Sequence, residues 1–182
     1  MPFLDQEISH ALADAMNKKL GIEFIWKNHV VTCQANDVGD ITLEFDTGKR
    51  LCVDAVLVAA GRASNTATLN AVAADIALGP KGHLTVDSHY RTSVPHIYAA
   101  GDVIGFPALA STSMEQARVA MCHAFEQGYK IALAPLLPTG IYTIPEVSMI
   151  GATEEQLKSE GIDYVVGRAS YGQCARGEII GD

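Results

Sequence analysis

Two short apolar segments constrain this chain more than anything else in it. Val56 to Ala60 reads Val-Leu-Val-Ala-Ala and runs into Gly61-Arg62; His96 to Ala100 reads His-Ile-Tyr-Ala-Ala and runs into Gly101-Asp102. Neither segment alternates polar with apolar residues. A strand with one wet face alternates. A strand covered on both faces does not, and such strands belong in parallel sheets flanked by helices. The expected fold class is therefore α/β. The glycine and charged residue that follow each strand fall at the sheet edge where open α/β folds bind their ligands.

The rest of the chain can build a core around such strands. Of its 182 residues 48% are hydrophobic and 19% charged, which is a globular composition rather than a disordered one. The net charge of −8 argues against a nucleic-acid partner. The basic residues cluster only as the pairs Lys18-Lys19 and Lys49-Arg50. No apolar run approaches the roughly 18 residues of a membrane span. The first ten residues carry Asp5 and Glu7 without Lys or Arg, so no secretory signal is expected and the expected location is the cytoplasm. Cys33, Cys52, Cys122 and Cys174 form no CxxC or CxxxxC pair. They are expected as small buried residues in a reducing compartment, with no metal site.

Periodicity and caps outline the other elements. Asp5 to Leu20 has Ile8, Leu12, Ala15, Met16 and Leu20 at helical spacing, with Gly21 as terminator. Ile22 to Trp26, Val30 to Ala35, Ile41 to Phe45 and Arg50 to Val53 read as strands, the last two joined at Thr47-Gly48-Lys49. Residues 65 to 77 read as a short helical or irregular link, and Leu84 to Asp87 as a strand. Thr112-Ser113-Met114-Glu115 fits a capping box, predicting a helix to about Gln127 with Met114, Ala117, Met121 and Ala124 on its inner stripe. Beyond the prolines at 135 and 138, strands are expected at Ile141 to Thr143, Val147 to Ile150 and Tyr164 to Ala169. A helix capped by Thr153 is expected from Glu154 to Glu160, and Arg176 to Ile180 reads as a further strand.

The segment Thr92 to Asp102, TSVPHIYAAGD, carries the most chemistry. It puts a carboxylate just past the end of a buried strand, where it can accept hydrogen bonds from ligand hydroxyls. Gly101 allows close approach of that ligand to the backbone. The helix expected some ten residues on aims unpaired N–H groups and a positive dipole end back at the same edge. One strand tip and one helix start thus converge on a single small-molecule site.

This string resembles the second flavin fingerprint of the pyridine-nucleotide–disulfide oxidoreductase family, which includes lipoamide dehydrogenase and glutathione reductase. In that family the Asp of the Gly-Asp pair holds the ribityl chain of FAD, which maps to Gly101 and Asp102. The following loop and helix start lie by the flavin ring and pyrophosphate, here Leu109, Ala110, Ser111 and Thr112. VLVAAGR resembles the family's crossing strand, placing Gly61 and Arg62 beside the nicotinamide cofactor. Most members follow that Arg with x-Pro-Asn. Here Ser64 stands in the proline place, a departure from the generic disulfide-reductase pattern. TGIYTIPEV, from Thr139, is similar to the opening of the family's dimerisation domain.

The resemblance implies a partial flavoprotein with two dinucleotide-binding domains and the start of an α+β dimerisation domain. Its expected parts are the end of the NAD(P)-binding domain (1–60), the returning part of the FAD-binding domain (61–138) and the beginning of the dimerisation domain (139–182). Neither GxGxxG of the family occurs, and the chain reads as a middle-to-late segment. The implied cofactors are FAD and NAD(P), with NADPH and NAD⁺ as substrates of reversible hydride transfer, and at least a dimer when complete. No catalytic residue is assigned. A lipoamide dehydrogenase or other disulfide reductase is the alternative within the family. A non-catalytic piece whose exposed core face meets another chain is the alternative outside it.

Overall fold

The computed structural model describes residues 1, 3–37 and 39–181. In chain order the elements are α1 (Gln6–Leu20), β1 (Val30–Ala35), β2 (Ile41–Phe45), β3 (Arg50–Val53), α2 (Ala110–Ala124), β4 (Thr139–Ile141), β5 (Val147–Met149), α3 (Glu154–Glu160) and α4 (Ala175–Ile180). Four 3₁₀ turns lie at Ala67–Leu69, Ala71–Ala74, Asp102–Ile104 and Tyr171–Gln173. The chain separates into two compact units, Glu23–Thr139 and Met1–Ile22 with Gly140–Asp182.

In the first of these, β1, β2 and β3 form an antiparallel meander in which β2 is central. Its alternation works as the sequence predicts: Leu43 and Phe45 are buried while Thr42 is exposed. Glu44 sits opposite Arg50, and their side chains meet at 3.4 Å. Beyond the meander the turns Ala71–Ala74 and Asp102–Ile104 contribute to a small core of Ala71, Leu84 and Ala99, with Ile76, Val86, Val103 and Ile104 packed against it. This core fixes the turn Asp102–Ile104 from beneath, because Val103 and Ile104 enter it and the Val103 carbonyl accepts the Leu84 N–H at 2.9 Å.

The two apolar strands expected from the sequence do not form as strands. Val56 to Ala60 pairs with no strand among the described residues, and Leu57 and Val58 are 91% and 79% exposed. A parallel strand needs neighbours to take its N–H and C=O groups, and the sheets among the described residues are formed by other segments, β1–β2–β3 and β4–β5. His96 to Ala100 instead folds back on Arg91 through an isolated Arg91–Tyr98 bridge. Thr92 stabilises the reversal with its N–H and its Oγ1, both donating to the Ile97 carbonyl. Ala99 alone of that run is fully buried. Ile22 to Trp26, Leu84 to Asp87 and Tyr164 to Ala169 are likewise not strands.

The second unit is organised by helix ends. Asp5 Oδ1 accepts the Glu7 N–H and caps α1, while Asp5 Oδ2 accepts the Glu154 N–H at the start of α3. Glu155 returns the contact by accepting the Gln6 N–H at 3.3 Å. Glu7 takes two hydrogen bonds from Arg168, at 2.9 and 2.6 Å. Carboxylates thus satisfy the unpaired N–H groups of two helix starts at once. Thr153 caps α3 as expected and forms a full capping box with Gln156, and Gly161 ends α3 in the left-handed conformation. Residues 176–180, expected as a strand, are the helix α4; Cys174 accepts the Gly177 N–H at its start and Gly181 ends it. A segment this short, with only Ile179 and Ile180 apolar, fits either period, and here the caps decide.

Three of the four cysteines, Cys33, Cys52 and Cys174, are exposed, and only Cys122 is buried as expected. The sheet carrying Cys33 and Cys52 leaves both on a solvent-facing surface. Among the described residues no helix is long and apolar enough to cross a membrane. None of their His, Cys, Asp and Glu side chains gather in threes to hold a metal.

Candidate functional site

The site builds from Gly101. Its φ of 83° and ψ of −157° lie in a region open almost only to glycine. That kink ends the loop from Ala99 and starts the 3₁₀ turn at Asp102. Gly105 closes the turn at φ 93°, ψ −146°, with its N–H donating to the Asp102 carbonyl at 3.1 Å. Two such glycines bracket one carboxylate-bearing turn.

Helix α2 stands directly beside this kink. A Cβ placed on Gly101 would lie 3.0 Å from Ser113 Oγ, in the first turn of α2. Gly101 N–H donates to Gln116 Oε1 at 2.7 Å, one turn further on. The Asp102 tip and the helix start are therefore neighbours. The helix begins at Ala110, earlier than the capping box predicts, with Leu109 as N-cap and no side chain capping its N–H groups. Thr112 is inside the helix and 1% exposed, and so does not cap. Its inner face is Thr112, Gln116, Val119, Ala120 and Cys122, whereas Met114 and Met121 of the expected stripe are half exposed. The helix also ends at Ala124, before Gln127.

Of the residues singled out in the sequence, Asp102 keeps its side chain 55% exposed, with Arg62 Nη2 3.8 Å from its Oδ2. Such an exposed pair contributes little on its own and yields readily to a ligand. Gly61 and Arg62 are exposed, Leu109 is half-buried, and Ala110 and Ser111 are exposed at the mouth of α2. Further along the helix, hydrogen bonds from Lys130 and Arg118 hold the Glu115 carboxyl below its ordinary pKa. The residue that sequence reasoning missed is Gln116. It is 2% exposed, and its amide serves the kink glycine. Its one sequence signal is a polar residue four places after Thr112, on the buried side of the helix.

These features fit a flavin cofactor on three counts. The kink leaves no room for a side chain, the Asp102 carboxylate is open to a hydroxyl-bearing chain, and the first-turn N–H groups of α2 are uncapped. A separate cleft of about 720 Å³ opens in the other unit, lined by Ile8, Leu12, Tyr142, Ile144, Tyr171 and Arg176 among others. None of the eight residues singled out lines it.

Comparisons with known proteins show the family. The model of the pyridine nucleotide–disulphide oxidoreductase family matches residues 1–124, and that of its dimerisation domain matches residues 137–182. The soluble pyridine nucleotide transhydrogenase of Mycobacterium tuberculosis (strain ATCC 25177 / H37Ra) is 41% identical over 182 residues, all of this chain and 38% of the relative. That of Sodalis glossinidius is 38% identical over 188 residues, again all of this chain and 38% of the relative. This chain thus spans 38% of the length of these curated relatives. Among solved structures, the HOCl-induced flavoprotein disulfide reductase RclA from Escherichia coli superposes with a TM-score of 0.85 at 26% identity, over 100% of this chain and 41% of that one. LpdA from Mycobacterium tuberculosis gives 0.72 at 26% identity, over 86% and 34%.

Proposed function

The chain belongs to the pyridine nucleotide–disulphide oxidoreductase family, and from that premise we propose that it is a segment of an FAD-dependent enzyme carrying reversible hydride transfer between NADPH and NAD⁺. The observation that carries this reading is the Gly101–Asp102 kink set against the uncapped start of α2. When bound, the flavin would supply the hydride relay between the two nicotinamide cofactors. The protein's own share is binding, orientation and electrostatics. Asp102 accepts hydrogen bonds from the ribityl hydroxyls, with Arg62 moving off its carboxylate. Ala110, Ser111 and Thr112 point N–H groups and the positive end of α2 at electron-rich or anionic parts of the cofactor. Leu109 packs beside them. Gly61, without a side chain, lets the nicotinamide cofactor come close to the backbone.

In this reading residues 1–60 close an NAD(P)-binding domain, 61–138 return to the FAD-binding domain, and 139–182 open the dimerisation domain. The complete protein is a cytoplasmic dimer or larger. A disulfide reductase of the same family is the second reading, favoured by the likeness to RclA. A CxxxxC pair in the longer protein would select it.

The test is Asp102→Ala. Loss of a charge-assisted hydrogen bond costs about 1.5–3 kcal/mol, so FAD affinity in the complete enzyme falls about 10- to 100-fold. Unchanged affinity would refute the role given to Asp102.

A further inference from the structure

Asp102 is held at both ends by side chains that do not belong to its own turn. Before it, Gln116 from the buried face of α2 accepts the Gly101 N–H at 2.7 Å. After it, Ser64 Oγ donates to the Asp102 carbonyl at 3.1 Å. That carbonyl also accepts the Gly105 N–H, so both of its lone pairs are used. The Gly101 N–H and the Asp102 carbonyl are thereby both tied down.

From this we infer that Ser64 and Gln116 act as a two-point clamp that sets the direction of the Asp102 carboxylate. Both are positioning residues: neither touches the ligand, and both act through the Asp102 backbone. Gln116 fixes the Ala100–Gly101 peptide plane, the Gly101 carbonyl is held by the Ile104 N–H at 3.0 Å in the next plane, and Ser64 holds the Asp102 carbonyl in the one after, so the planes leading into and out of the Asp102 Cα are set in series. The direction of the Cα–Cβ bond follows from those planes. The clamp also joins two chain segments, because Ser64 lies three residues after Gly61 and 38 residues before Asp102. Two further contacts seat its segment: Thr66 Oγ1 donates to the Gly82 carbonyl, and a Cβ on Gly82 would meet that same oxygen at 3.5 Å. A proline at position 64 has no hydroxyl and could not make the bond. The serine found there therefore has a structural consequence at the site.

The flavin half of the inference rests on the proposed function; the clamp itself does not. The experiment compares the complete wild-type enzyme with its Ser64→Ala, Ser64→Thr and Gln116→Met variants. Amide exchange is read at Gly101 and Gly105, and FAD affinity by quenching of flavin fluorescence. Ser64→Ala is expected to speed exchange at Gly105 and to weaken FAD binding, each about two- to ten-fold, the range of one hydrogen bond. Ser64→Thr retains the hydroxyl and is expected to stay within about two-fold of wild type in both. Gln116→Met is expected to speed exchange at Gly101 about ten-fold or more, since a buried N–H loses its acceptor. If that variant unfolds, Ser64→Ala decides.

Unchanged exchange in Ser64→Ala would overturn the clamp. Faster exchange with unchanged FAD affinity would overturn its positioning role, as would failure of Ser64→Thr to restore both. If the complete wild-type enzyme takes up no FAD while Ser64→Ala still loosens Gly105, the clamp stands and the proposed function falls.

Discussion

Replacing Gly101 by alanine tests the geometry of the site without touching its chemistry. The residue sits at φ 83°, ψ −157°, where a side chain costs about 1–3 kcal/mol in backbone strain. The added Cβ would meet Ser113 Oγ at 3.0 Å and Ser113 Cβ at 3.3 Å. Relief requires the serine to turn, breaking its bond to the Leu109 carbonyl at 2.9 Å, worth about 1 kcal/mol. The stiffer unfolded chain returns about 0.4–1 kcal/mol. The net destabilisation is about 2 kcal/mol. Gly105→Ala supplies the comparison. Its backbone is similarly strained at φ 93°, but its nearest neighbour is His83 at 3.7 Å, so the steric part vanishes and the loss is about 1 kcal/mol smaller. Urea unfolding followed by the single tryptophan, Trp26, reads both, since it lies in the same unit as the two glycines. A Gly101→Ala chain within about 0.5 kcal/mol of wild type, the size of an ordinary surface change, would refute the reasoning.

Other consequences lie in the second unit. A hydrogen bond from Arg168 holds the Glu7 carboxyl below its ordinary pKa of 4.5, and one from Tyr164 does the same for Glu154. A carboxyl depressed on folding stabilises the fold above its unfolded pKa and loses that contribution as pH falls through the folded value. Far-UV circular dichroism should therefore show helix loss on acidification below pH 4.5, with a shallower dependence in Arg168→Gln; identical profiles would contradict this. Thr153→Ala removes one arm of the α3 capping box and should cost about 1 kcal/mol. It would show as faster exchange at the Gln156 amide, whose hydrogen bond to Thr153 Oγ1 is lost.

Features encoded locally were legible in the sequence. Asp5 and Gly21 mark both ends of α1, alternation marks β2, and Thr153 with Gly161 brackets α3 within a residue. Each depends on contacts a few residues apart. The two apolar runs failed as strands because strand formation depends on a partner distant in sequence. With no strand beside it, Val56 to Ala60 keeps its composition and loses its ladder. The start of α2 misled for a related reason. Thr112 to Glu115 has the residue types of a cap, but the helix begins earlier and buries the threonine. Gln116 was invisible because nothing local says that a glutamine on a helix will serve the backbone of a glycine 15 positions back. The convergence of strand tip and helix start was still readable, since it follows from where Gly-Asp and the next helix stand in the chain.

The most direct test of the central claim is to titrate FAD into the complete enzyme, isotopically labelled, and map which amide signals of this segment move. Gly101 to Val103 and Ala110 to Ser113 should shift together, with Arg62, and should need about 10- to 100-fold more FAD to do so in Asp102→Ala. Shifts confined to the cleft around Tyr142 and Arg176, or none at any FAD concentration reached, would contradict the account.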